Sequence, residues 1–141
     1  MILENIYNQT VTILNKLRRD DSGTGVDEWK KTVINDAAWY TRSVMTAGGS
    51  AAYIGTYHTI DIPYHEEYLD YNDWRELSNK DSHFTISSGD YVILGEVLED
   101  VNANNIISVT KKYGERCCMV KNHRTLPQRF GAKVQVSIEG V

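Results

Sequence analysis

Four short stretches carry residue types that could do chemistry. Gly48-Gly49-Ser50-Ala51-Ala52 places a serine between small residues, as a nucleophile elbow does. An elbow needs a strand, a sharp turn and a helix over a parallel sheet, with an oxyanion hole beside it. No helical pattern follows Ser50, so a loop serine is the better reading. His65-Glu66-Glu67-Tyr68-Leu69 opens like a zinc-protease helix, but Leu69 stands where the second histidine is needed. His58 and His65 with Glu66 and Glu67 remain a metal set in composition only.

Asp20 to Glu28, DDSGTGVDE, resembles a calcium loop with its ligands out of register. It reads better as a polar turn, and Gly23 and Gly25 have no phosphate-loop continuation. Cys117 and Cys118 are adjacent. On a strand they point to opposite faces and cannot bridge each other, so Cys118 is expected in a core and Cys117 on the other side. Reduced thiols imply an intracellular setting. None of these groups converges on a catalytic constellation. The expectation is a protein that is not an enzyme and that needs no cofactor and no metal.

The elements that would hold these residues are mostly strands. Thr10 to Leu14, Trp29 to Ile34 and Ala38 to Arg42 alternate or are rich in β-branched and aromatic residues, with a turn expected at Asn35-Asp36. Ser43 to Gly55, SVMTAGGSAAYIG, has neither stripe nor alternation and reads as a long flexible loop. Met45, Gly48, Gly49, Tyr53 and Ile54 are its candidates for contact with a partner. His58 to Tyr64 is a strand ended by Pro63.

The next segment, HEEYLDYNDWRELSNKDS, is acidic and aromatic, with a short helix expected from Asn72. Glu66, Glu67, Tyr68, Asp70, Tyr71, Asp73 and Trp74 are candidates for a channel wall or an interface. Phe84-Thr85-Ile86 and Tyr91-Val92-Ile93-Leu94 flank Ser87-Ser88-Gly89-Asp90 as a β-hairpin. Asn104 to Tyr113 is the one convincing helix, with lysines in its last turn and Gly114 after it. Arg116 to Val120 and Ala132 to Ile138 complete seven or eight strands. Turn-like connections make the sheet antiparallel, so a small β-barrel or sandwich over residues 1–141 is expected as a single domain. Trp39 and Val92 should be core residues.

Composition limits the function. The chain has 141 residues, 41% apolar and 24% charged, with nine tyrosines and two phenylalanines. That is enough for one core. A net charge of −4 and scattered basic residues argue against a phosphate-gripping groove. No apolar run approaches a membrane span, and MILENIYNQTV lacks a signal peptide's basic start.

Several pieces in sequence order resemble a known family. TVTILNKL is followed by DEWKKTVINDAAWY, a variable glycine/alanine stretch, TIDIPY, YLDYNDWREL, FTISSGDYVILGEV and a helix ending KKYG. From Thr10 to about Val120 this order is similar to the small head-tail joining proteins (head closure or stopper proteins) of tailed bacteriophages and prophages of Gram-positive bacteria. Lys121 to Val141 lies outside the matched pattern, so no contact is carried over to it.

The resemblance implies a β-barrel subunit in a homo-oligomeric ring of six or twelve copies at the head-tail neck. Such a ring has portal or adaptor proteins on its head side and tail terminator or tail proteins on the other. Packaged DNA passes through it without sequence-specific binding. The family has no catalytic residues to transfer, and its variable loop corresponds here to Ser43–Gly55. The implied location is the virion, after synthesis in the bacterial cytoplasm. Two rival readings are another ring of the same region, such as a tail terminator or adaptor, and a small-barrel nucleic-acid-binding module.

Overall fold

The chain's first strand already departs from simple alternation. β1 (Gln9–Leu17) is buried continuously from Val11 to Asn15. Its two faces meet two different cores: Val11 and Ile13 join one apolar cluster, and Leu14 joins another with Ile93, Val97, Ile106 and Val109. A strand covered on both faces reads as an apolar run, which is why TVTIL carries so little polar contrast.

The structure is a computed structural model and describes residues 7–48, 51–125 and 134–141, without the side chains of 44–48, 51–54 and 134. Six strands close into an antiparallel barrel in the order β1-β2-β3-β6-β5-β4, with β4 returning to β1. The others are β2 (Glu28–Gly48), β3 (Ala51–Pro63), β4 (Tyr91–Leu94), β5 (Cys117–Thr125) and β6 (Val134–Gly140). Val11, Ile13, Ile34, Ile60, Ile62, Phe84, Val92, Val120, Val136 and Ile138 fill the inside. Val92 is fully buried as expected, and Trp39 packs on this core half-buried. Gly140 belongs to the closure. A Cβ there would lie 2.7 Å from Cys118 Sγ and 2.9 Å from the Met119 carbonyl, so only a bare backbone brings β6 this close to β5.

α3 (Ile106–Tyr113) covers the outside of β1 and β4 with Ile106 and Val109. It confirms the expected helix with a shifted start. Asn105 is its cap, and the Asn102 side chain accepts from the backbone N–H of Asn104 and Asn105 just ahead of it. Two shorter helices are α1 (Arg19–Ser22) and α2 (Tyr71–Arg75), and a 3-10 turn spans Gly114–Arg116.

Three expectations are corrected. Asn35-Asp36 is not a turn between two strands. β2 runs through it, and the register with β1 jumps from Val11↔Ile34 to Gln9↔Ala37, so one bulged strand leaves β1 and joins β3 from Ala38↔Asp61 onward. Ser43–Gly55 is not a long loop. β2 and β3 stay paired through Ser43↔Thr56, Met45↔Ile54 and Gly48↔Ala51, a hairpin arm whose small residues give no periodic signal in the sequence. Phe84–Ile86 is not a strand beside Tyr91–Leu94. Both edges of β4 are occupied, by β1 and β5, which leaves no ladder for it. The 84–86 segment is held instead by a short bridge to the acidic segment, Phe84 N donating to the Glu67 carbonyl and Leu69 N to the Phe84 carbonyl, and by Asn15, which bonds both the N–H and the carbonyl of Thr85.

Candidate functional site

The direction of β3 defines two ends of the barrel. Its early half forms the arm with β2, and its late half pairs with β6 from His58↔Gly140 to Pro63↔Val134. The acidic segment leaves from Pro63, so it lies at the end opposite the arm.

At the acidic end the chain is folded back and tied down. α2 forms because Asp70 caps it, its Oδ1 accepting from Asp73 N at 2.9 Å. Asp70, and not Asn72, is therefore the cap. The Tyr71 hydroxyl donates to Asp21 Oδ2 at 2.7 Å and accepts from Arg18 N at 3.1 Å. The Arg18 guanidinium sits 4.3 Å over the same ring. Tyr68 lies 5.7 Å from Phe84 ring to ring, and its hydroxyl meets Thr125 Oγ1 at 3.1 Å. Trp74 is fully buried, which corrects its place among the surface candidates: its indole fills the fold and faces no channel. Glu66, Glu67 and Asp73 are exposed. His65 Nε2 meets Asp36 Oδ1 at 2.9 Å, and Glu67 stands 3.9 Å from its other ring nitrogen.

A buried polar knot supports this end. Asp90 is 1% exposed and its carboxylate accepts from Asn15 Nδ2, Lys16 N and Ser87 N, each at 2.9 Å. Burial pushes its pKa up to about 6, against the pull of those three donors and of the Lys16 charge.

At the arm end the barrel is open. A cleft of about 590 Å3 is lined by Trp39, Thr41, His58, Leu94, Arg116 and Cys117, among others. Trp39 Nε1 donates to Thr41 Oγ1 at 3.2 Å, and Thr41 Oγ1 lies 2.9 Å from His58 Nδ1. The Trp39 and His58 rings are 5.2 Å apart. Burial lowers the His58 pKa, so the ring is neutral at pH 7. Arg116 lies against Gly95, where an added Cβ would come within 2.8 Å of Nη2. Burial pushes the Cys117 thiol up to about 11 and Cys118 up to about 12, so neither is a thiolate nucleophile at neutral pH.

The arm itself carries Met45, Gly48, Tyr53 and Ile54 in the pairs Met45↔Ile54, Thr46↔Tyr53 and Gly48↔Ala51. Gly49 and Ser50 lie outside the described residues, as does 126–133. His58 and His65 are carried to opposite ends. Among the described residues no cluster of three or more metal-ligating side chains forms. The 20–28 turn satisfies itself: Ser22 Oγ donates to the Val26 carbonyl at 2.8 Å, and Asp27 Oδ1 accepts from Arg19 N at 2.9 Å. Among the described residues no helix is long and apolar enough to cross a membrane.

A family of unknown function, DUF6751, matches residues 6–141, nearly the whole chain. The chain belongs to this family. No curated protein and no solved structure matches it.

Two features of this DUF6751 chain escape sequence reasoning. The open cleft draws Trp39, His58, Leu94 and Arg116 from four separate segments, with no shared motif. The Asp90 knot hides in what reads as a polar turn, although the sequence does hold a signal there: a lone asparagine, Asn15, at the end of an apolar strand.

Proposed function

We propose that this chain is a structural subunit of the head-tail neck of a tailed phage or prophage. Copies of it form a ring that closes the DNA-filled head and offers the docking surface for the tail. It acts by shape and contact, not by catalysis, and its home is the virion.

One observation carries the reading. The arm leaves the barrel as two strands alone: among the described residues β1 follows β2 only to Ala37, and β6 follows β3 only from His58. Seven positions on β2 beyond Thr41, Arg42 to Gly48, extend it by about 23 Å at ~3.3 Å per residue. An isolated two-stranded hairpin is marginal in water. Such an arm gains its stability from a neighbour, as subunits of a ring supply to one another. The order of sequence pieces from Thr10 to Val120 and the small barrel agree with this reading, and the net charge of −4 suits a channel through which DNA slides without sticking.

The test is negative-stain imaging of particles from a host strain whose copy of this gene is deleted. DNA-empty, tailless heads beside full-length tails are the expected result. Heads that keep their DNA beside tails of aberrant length would move the protein to the tail terminator. Normal infectious particles would overturn the structural reading.

A further inference from the structure

β2 changes partners along its length and leaves one edge bare. From Glu28 to Ile34 it pairs with β1 on one side. Its pairing with β3 on the other side starts only at Ala38. Among the described residues no strand fills that second edge from Glu28 to Ile34. In an antiparallel ladder alternate residues turn both backbone groups outward, so this edge holds a row of unpaired donors and acceptors about 20 Å long.

The edge is open to the surface. Two adjoining clefts of about 450 and 350 Å3 run beside it. The larger is lined by five consecutive β2 residues, Thr32 to Asp36. Side chains alternate across a strand, so a groove that touches five in a row follows the backbone edge and not one face. Its far wall is Asp81, Ser82 and Phe84 with His65 and Glu67. The smaller cleft continues along Glu28 and Lys30 against Ser78 to Asp81, and Asp81 belongs to both. The groove ends at the β2 bulge, where His65 Nε2 meets Asp36 Oδ1 at 2.9 Å.

Charge selects what fits. The larger cleft carries three carboxylates, Asp36, Glu67 and Asp81, and no lysine or arginine. His65 is bonded to Asp36 and stands 3.9 Å from Glu67. Glu67 and Asp81 are exposed, and their carboxylates accept no hydrogen bond among the described residues. In the smaller cleft Asp21 and Glu28 face Lys30 and Lys80, and Asp21 is already bonded to Tyr71 and Arg75. Lys31, the other lysine of this stretch, reaches away to the Leu98 and Glu99 carbonyls. The unanswered charge is therefore negative and lies at the Thr32–Asp36 half.

We infer that this edge takes an extended basic segment of a partner protein as an added strand. Backbone bonds to β2 supply the affinity, and arginine or lysine side chains at alternate positions reach Glu67 and Asp81. The inference does not rest on the neck reading.

The probe is a blocked nonapeptide of alternating arginine and threonine, titrated into the full chain. Its control is the same peptide N-methylated throughout, which keeps the charge and removes every backbone donor. Affinity is read by fluorescence anisotropy, and backbone protection by amide hydrogen exchange. The plain peptide binds at low salt, binds more weakly at high salt, and slows exchange at alternate β2 amides between Trp29 and Ile34. N-methylation, and the double variant Glu67→Lys with Asp81→Lys, each weaken binding at least about tenfold. Circular dichroism checks that the variant keeps its barrel. No binding, equal binding of the N-methylated peptide, or a double variant that binds unchanged would each overturn the inference. Protection of the same amides in the chain alone, growing with its concentration, would make a second copy the occupant and overturn the basic partner.

Discussion

The two ends of the barrel use similar residues in different ways. At the acidic end, many of the aromatic and charged side chains are bonded to each other, while Glu66 and Asp73 stay exposed. Tyr71 bridges Arg18 and Asp21, Tyr68 stacks toward Phe84, Asp70 caps α2, and Asp90 gathers three donors inside. At the arm end, Trp39, His58 and Arg116 line an open cleft, and Arg116 makes no ion pair among the described residues. The difference separates cohesion from recognition: groups bonded within the fold stabilise it, and groups left facing a cleft are available to a partner.

The largest expected effect breaks the acidic end. Phe84→Ala should cost about 3–5 kcal/mol in denaturant unfolding, because its ring is fully buried and anchors both Tyr68 and the main core. A loss below about 1 kcal/mol would mean that this end is not the cohesive one.

The next effect is pH-dependent. The Asp90 pKa is raised in the folded chain to about 6, against an ordinary 3.8. A raised acid favours its protonated form on folding, so its stabilising contribution is full below pH 4 and falls as pH climbs through 6. The gap corresponds to about 3 kcal/mol. Stability measured across that window should therefore show a falling component that Asp90→Asn abolishes. The same variant should lose about 1–3 kcal/mol at low pH, because its amide turns a donor toward the donors of Asn15, Lys16 or Ser87. Equal pH slopes for the two proteins would refute the buried charge.

The smallest effects belong to the open end. Trp39→Phe removes the indole donor to Thr41 and should cost only about 1 kcal/mol. Arg116→Ala should change stability by no more than about 0.5 kcal/mol. A large destabilisation by Arg116→Ala would erase the contrast between the ends by making the cleft part of the fold's support.

Much of this was legible in the chain itself. The β-rich class, the strands at Thr10–Leu14 and Tyr91–Leu94, the helix ending at Gly114 and the core position of Val92 follow from local pattern, since burial imposes a period on the residues that make it. The two cysteines divide as adjacency on a strand requires, Cys118 in the core and Cys117 at the cleft. Tertiary structure decided what has no period. Ser43–Gly55 pairs because the Ala38↔Asp61 register carries on outward, not because small residues ask for a strand. Phe84–Ile86 fails to pair because β4 has no free edge, a fact fixed by β1 and β5 from far along the chain. The cleft exists only where β2 leaves β1, and its residues are neighbours through barrel closure alone. Sequence fixes which faces must be buried; pairing competition among distant strands decides which edges and which donors remain.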